Sequence, residues 1–273
     1  MREPWPRRLE RYLINAYVLF ICAFIMAPIL VVVLSSFQYG QYLAYPIERY
    51  SLRWYTEALF RPEWRNALTQ SLRLAVQTTV YATVAGILAG LALHYHDFRG
   101  KQALSVGFLS PLLMPELLTG LALLFYFANF GISGTYTALL LGHVLLALPY
   151  VIRLVLTALP RVSRNAEEAA MTLGANEFVT MMKITLPLIS PAIRGGAVFA
   201  FMVSYNNVLL SLFLSTPRVT TLPVKIYQHV EFVADPTIAA VSTIFLILTF
   251  ALMVALERTV KLEVMPVVEE YRK

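Results

Sequence analysis

At 273 residues, with 58% hydrophobic and only 14% charged side chains and a mean hydropathy of +0.66, the chain carries more apolar surface than one soluble core can hide. A single cysteine, Cys22, excludes an internal disulfide and a cysteine-based metal cluster. The formal charge of +6 is spread without a basic-aromatic patch, so nucleic acid is not expected as a partner, and the composition describes an all-α integral membrane protein in a lipid bilayer.

Six apolar stretches are long enough to cross about 30 Å of hydrocarbon, at 13–35, 67–93, 103–128, 136–157, 191–214 and 236–258. The first follows Arg2, Trp5, Arg7, Arg8 and Arg11. It is too long for a secretory signal and lacks a small-residue cleavage site, so it reads as an uncleaved span held by arginines. Between the first two spans, 36–66 is mixed polar and aromatic (Tyr39, Tyr42, Tyr45, Tyr50, Trp54, Tyr55, Trp64), which suits either interfacial anchoring or a partner contact. In the second span, Gly86 and Gly90 form a small-xxx-small pair for close helix approach, and His94 and His96 mark its end.

Pro111 and Pro115 in the third span and Pro149 in the fourth should kink their helices. Glu116, directly after Pro115, is the one acidic residue deep within a predicted span. It is open to two readings, a carboxylate facing a water-filled cavity or an acceptor for backbone groups freed by the kink. His143 in the fourth span reads as a packed, hydrogen-bonded side chain. In the fifth span Ser204, Tyr205, Asn206 and Asn207 form a polar island that either binds a solute or bridges helices. Pro217, Pro223 and Pro236 forbid a long helix over 215–235, leaving room for a short one near 224–230. No repeat or second soluble domain interrupts residues 1–273, which read as a single transmembrane domain. The four histidines lack zinc spacing, and no G-x-x-x-x-G-K-[ST] phosphate loop is present, so neither a metal site nor ATP hydrolysis is expected on this chain.

An even number of spans puts both termini on one side. With that side cytoplasmic, fifteen Lys and Arg lie inside and seven (Arg49, Arg53, Arg61, Arg65, Arg73, Arg218, Lys225) outside, as the positive-inside bias requires. The segment 158–190 then faces the cytoplasm. It is charged, and its local chemistry predicts two short helices: Asn165 as an N-cap with Glu168 three residues on, Gly174 as a stop, Asn176 as a second cap, and Pro187 as a breaker.

The spacing Glu168-Ala169-Ala170, Gly174, Ile184-Thr185-Leu186-Pro187 resembles the EAA loop of ABC-importer permeases of the MetI-like superfamily, at every motif position. The resemblance implies a type I ABC importer permease fold with six transmembrane helices in a bacterial inner membrane. It also implies a loop that seats in a cleft of the ATP-hydrolysing subunit. Glu167 and Glu168 would then meet basic residues of that subunit, Gly174 would permit the sharp turn, and Ile184, Leu186 and Pro187 would anchor the loop to the fifth span. The implied partners are a second permease chain, two ATPase subunits that hold ATP and Mg, and an external solute-binding protein.

Further stretches, Leu52-Arg53-Trp54-Tyr55, Phe98-Arg99-Gly100-Lys101, Leu148-Pro149 and Leu222-Pro223-Val224-Lys225-Ile226-Tyr227, are similar to the second permease of spermidine/putrescine-type importers over most of 30–255. That subgroup implies a small solute such as a polyamine or a related compound. One departure bears on the cargo: where those permeases would be expected to carry an acidic pair, this chain has Asn206-Asn207, leaving Glu116 as its main anionic feature. The rival reading is a secondary transporter driven by an ion gradient, with Glu116 and His143 as its proton-coupled pair.

Overall fold

A computed structural model describes residues 5–42, 46–232 and 235–260; Arg2, Tyr45, Lys261, Arg272, Lys273 and the side chains of Trp5, Arg7 and Arg8 lie outside the described residues. Among the described residues the chain is mostly helical, with two isolated bridges, Gln38 with Tyr50 and Thr216 with Val219. Four helices are long and apolar enough to span a membrane, Glu10–Ser35, Pro62–Tyr95, Tyr136–Arg161 and Thr237–Leu256, and two sharply bent pairs make six if each pair is one span. The described residues divide into two compact units, one drawn from 5–65 and 228–249 and the other from 66–227 and 250–260.

In the smaller unit, α1 (Trp5–Ser35) bares large apolar side chains almost all round, as a helix solvated by lipid must. The chain then folds back on itself: Tyr39 N–H donates to Arg49 O at 3.0 Å and Ser51 N–H to Phe37 O at 2.7 Å, around the Gln38–Tyr50 bridge. Next comes α2 (Arg53–Phe60), which buries Trp54 and Ala58, and Tyr55 meets Ser36 by a 2.6 Å hydroxyl pair. At the start of α3 (Pro62–Tyr95), Trp64 is buried edge-on against His229, whose Nε2 lies 3.2 Å from Asp235. The aromatics of 36–66 therefore include true core residues, Trp54 and Trp64, beside exposed ones such as Tyr42 and Tyr50.

In the larger unit, the third span predicted at 103–128 is not one helix. It is α4 (Lys101–Leu109) with a 3-10 turn through Leu112, then α5 (Glu116–Asn129), bent by 110°. Prolines at 111 and 115 remove two donors, and the second forces the residue before it out of the helical region, so the chain turns there. At 14 residues α5 is about 21 Å long, too short to span alone. By contrast α6 (Tyr136–Ala158) carries Pro149 without a break.

After a 3-10 turn at Leu159–Arg161 come α7 (Arg164–Thr172), α8 (Glu177–Thr180), a π-helical turn (Met181–Thr185), α9 (Leu186–Leu188) and α10 (Ser190–Tyr205). The fifth span predicted at 191–214 stops at Tyr205 and resumes as α11 (Leu209–Leu214), because Asn207 turns its side chain onto the backbone: its Oδ1 accepts from Ser211 N–H at 3.0 Å. The residues that pair with α10 lie on its other side, where Glu177–Leu188 meets it at 69°. Beyond the turn at 215–221, α12 (Leu222–Phe232) starts two residues before the predicted 224–230. Its first amide is held by Ser71 Oγ at 2.7 Å, and α13 (Thr237–Val260) is the last described helix.

The core of the larger unit is built on α6. Gly86 and Gly90 of α3 leave so little room that a Cβ at either would sit 2.6 Å or 2.5 Å from Val151 or Val155, and Gly196 of α10 approaches the Val151 backbone from another side. Ala147, Val151, Val155, Leu159, Ile189 and Ala200 form one apolar cluster there, and Leu74, Phe127, Leu139, Leu146, Leu210 and Leu214 form a second. The glycine pair thus does what its spacing predicts, bringing two helices into backbone proximity.

Candidate functional site

Two places in the larger unit gather the residues singled out by the sequence. The first is the hairpin of α7 and α8. Its turn is a Schellman motif: Gly174, at φ 95°, donates to Met171 O at 3.0 Å, and Ala175 donates to Ala170 O at 3.1 Å. Asn176 caps α8 through Oδ1, which accepts from Val179 N–H at 2.8 Å. The predicted Asn165 cap is not formed; the N-cap position falls to Ser163, which makes no side-chain cap, and Asn165 lies within α7. Pro187 does not break the second helix either. The π turn just before it lets Leu186 N–H reach back to Met181 O, a wider ring that shifts the carbonyl register ahead of the proline, and the chain bends instead at Ile189.

The two adjacent carboxylates go different ways. Glu168 is exposed, as are Ala169 and Pro187, while Ala170, Ile184 and Leu186 are half-buried. Glu167 is drawn inward: its Oε1 accepts from Tyr95 OH and from Thr185 Oγ, both at 2.6 Å. Of the two glutamates expected to meet basic residues of an ATPase, Glu167 is thus held by two hydroxyl donors within the chain and Glu168 is not buried. Neither Tyr95 nor Thr185 stood out as a partner in the sequence, since the bond to Tyr95 closes 72 residues. Around the carboxylate lies a cleft of about 630 Å³ lined by Tyr95, His96, Arg164, Glu168, Glu177 and Thr180. The hairpin bares Met171, Leu173, Phe178 and Met182, with Leu173 at its turn 89% exposed.

The second place is the break at 206–208. Asn207 Oδ1 faces the Ser211 amide and hydroxyl, at 3.0 Å and 3.1 Å, so its Nδ2 is the atom that donates to Glu116. Because the Ser211 proton goes to Asn207, the 2.8 Å bond between Ser211 Oγ and His143 Nε2 runs from the ring to the hydroxyl, and Ser204 Oγ donates to His143 Nδ1 at 2.8 Å. His143 is 1% exposed with both nitrogens satisfied, the packed residue expected of it. A cavity of about 440 Å³ opens beside the break, lined by Glu116, Tyr150, Met202, Asn206 and Asn207 among others. Three of the four expected pathway residues thus meet. Tyr205 does not line this cavity; it is buried and stacks on Phe201 at 5.6 Å. Glu116 bonds to the Asn207 side chain at the cavity wall rather than to a freed backbone group. Ser204, a member of the predicted polar island, bridges α10 to α6, and Ser211, four residues after Asn207, was the missed member.

Comparison with known proteins accords with this architecture. Residues 82–262 match the family model described as binding-protein-dependent transport system inner membrane component. The chain is 31% identical over 247 residues to the spermidine/putrescine transport system permease protein PotC of Escherichia coli, covering 90% of this chain and 93% of that protein. It is 33% identical over 230 residues to the putrescine transport system permease protein PotI of the same organism, covering 82% of each. A crystal structure of a bacterial ABC transporter involved in the import of alginate shares the fold, with a TM-score of 0.76 at 14% identity over 94% of this chain and 99% of that one. Family membership sets aside the ion-gradient carrier, and permease subunits of this family are not themselves enzymes. A helical chain with several membrane-spanning helices, a capped and exposed hairpin and this degree of similarity to known permeases belongs to the inner membrane component family of binding-protein-dependent ABC importers.

Proposed function

We propose that residues 1–273 act as one transmembrane permease domain, paired with a second, different permease chain and driven by two ATPase subunits that hold ATP and Mg on the cytoplasmic side. An external solute-binding protein delivers the cargo. Both termini and the 158–190 segment face the cytoplasm, a reading supported by the positive-inside count. Closure of the ATPase pair on ATP moves the α7–α8 hairpins and rocks the spans from inward-open to outward-open, and hydrolysis resets them.

The observation that carries this reading is the hairpin itself. Gly174 and Asn176 fix its shape, Glu168 and Ala169 are exposed, and Leu173 and Phe178 are bared to a degree that a partner would cover. In this arrangement Glu168, Ala169, Ala170 and Gly174 make the docking surface, and Ile184, Leu186 and Pro187 join it to α10. Glu116, Asn206 and Asn207 at the cavity wall contact the solute. Its class is a polyamine or a related alkylammonium compound, supported by the carboxylate at the wall and by the names of the relatives. Two neutral amides beside one carboxylate favour a cargo of low positive charge.

Co-expression with the neighbouring permease and ATPase genes, followed by purification through this chain, tests the assembly: the ATPase should co-elute, with hydrolysis stimulated by the loaded binding protein. A chain that purifies alone and transports without ATP would contradict it. A thermal-shift screen of the partner binding protein against diamines, polyamines and neutral amides of similar length tests the cargo, and stabilisation by non-amines alone would refute the assignment.

A further inference from the structure

We infer that Glu167 is a positioning residue whose carboxylate ties the hairpin to the membrane helices, so that force applied to α7 reaches α3 and α10; this rests on the coupling role proposed above. One carboxylate oxygen accepts from Tyr95 OH and Thr185 Oγ at 2.6 Å each, short bonds of the charge-assisted kind. The donors lie on separate elements. Tyr95 is the last residue of α3, and Thr185 closes the π turn that precedes the bend into α10.

Little else fastens α7. No residue of this helix is buried, so apolar packing gives it weak anchorage and its hydrogen bonds set its pose. Beyond Tyr95 the path is stiff: Gly86 and Gly90 of α3 are interlocked with Val151 and Val155 of α6, leaving no space for one helix to slide over the other. On α6, two turns before Val151, sits His143, which is bonded to Ser204 and Ser211 beside the cavity break. Glu167 therefore lies at the head of a continuous series of packed and hydrogen-bonded groups that ends at Asn207 and Glu116. Its neighbour Glu168 is exposed, so of the two acidic residues Glu167 is the one held by hydroxyls of other elements.

The test is transport per ATP hydrolysed by the assembled importer in proteoliposomes. Losing one hydrogen bond to a charged group is enough to shift a two-state equilibrium by about tenfold, so Tyr95→Phe and Thr185→Val should each lower the ratio on that scale. Thr185→Ser should restore it, and Tyr95→Phe added to Glu167→Ala should cost nothing further. Co-elution of the ATPase should be unchanged in all of them. Tyr95→Phe removes a single hydroxyl from a partly exposed ring, so assembly is retained even where Thr185→Val, in a buried position, folds poorly. Variants that keep the ATPase bound and transport at the wild-type ratio would overturn the inference and leave the coupling role standing. A wild-type chain that never binds an ATPase would overturn both.

Discussion

Around His143 and at the α7–α8 hairpin, the same kinds of side chain are used to opposite ends. The histidine, Ser204, Ser211 and Asn207 satisfy one another inside the larger unit, each nitrogen and hydroxyl matched to a partner, with Asn207 joining the network to Glu116 at the cavity wall. The hairpin keeps a single internal knot, Glu167 with two hydroxyls, and leaves the rest of its polar and apolar surface open. A closed network locks one backbone geometry, here a helix break, against the cost of unpaired polar groups. An open surface fixed by a turn and two bonds can move as a body and meet another protein. Changes in the first region should register in stability, and changes in the second in coupling.

The largest effect is expected from His143→Leu, which strips a partner from two buried hydroxyls and should lower stability by about 2–3 kcal/mol, read as a drop in thermal midpoint of the purified complex. A variant of unchanged midpoint would show that the network is not a structural lock. Gly86→Ala comes next, with its Cβ 2.6 Å from Val151 Cγ1, and should cost about 1–2 kcal/mol through overpacking, with α3 and α6 forced apart. At Gly174 nothing lies within 4 Å of a new Cβ, so Gly174→Val acts through the φ of 95° alone, about 1–2 kcal/mol confined to the hairpin. Transport and coupled hydrolysis should be lost while membrane insertion persists, and Gly174→Asn should retain part of both, because asparagine tolerates that backbone. Glu168→Gln should move stability by less than about 0.5 kcal/mol, as exposed substitutions do, yet weaken ATPase retention; tight retention would place the contact elsewhere.

Much of this contrast was legible from the chain because it is local chemistry. Gly174 and Asn176 act within three residues of themselves, and both do what their positions predict; the spacing of Gly86 and Gly90 likewise announces a helix contact. What escaped depends on distance or on competition. Hydropathy registers that 103–128 and 191–214 are apolar but not that two prolines turn the first by 110°, or that the Asn207 side chain ends α10 and starts α11. Pro187 reads as a breaker until a π turn accommodates it. The bonds of Tyr95 to Glu167 and of Asn207 to Glu116 join residues 72 and 91 apart, and no periodicity encodes such a pairing.

The central claim is that the α7–α8 hairpin is seated on an ATPase. With Cys22 replaced by serine, the chain has no thiol, and a Leu173→Cys change places one at the most exposed apolar position of the turn. Treated with a short thiol-to-amine cross-linker in native membranes, this variant should give a single adduct with the ATPase subunit, altered in yield by ATP. An adduct only with a protein of the external face, or none with the ATPase while the importer remains active, would contradict the account.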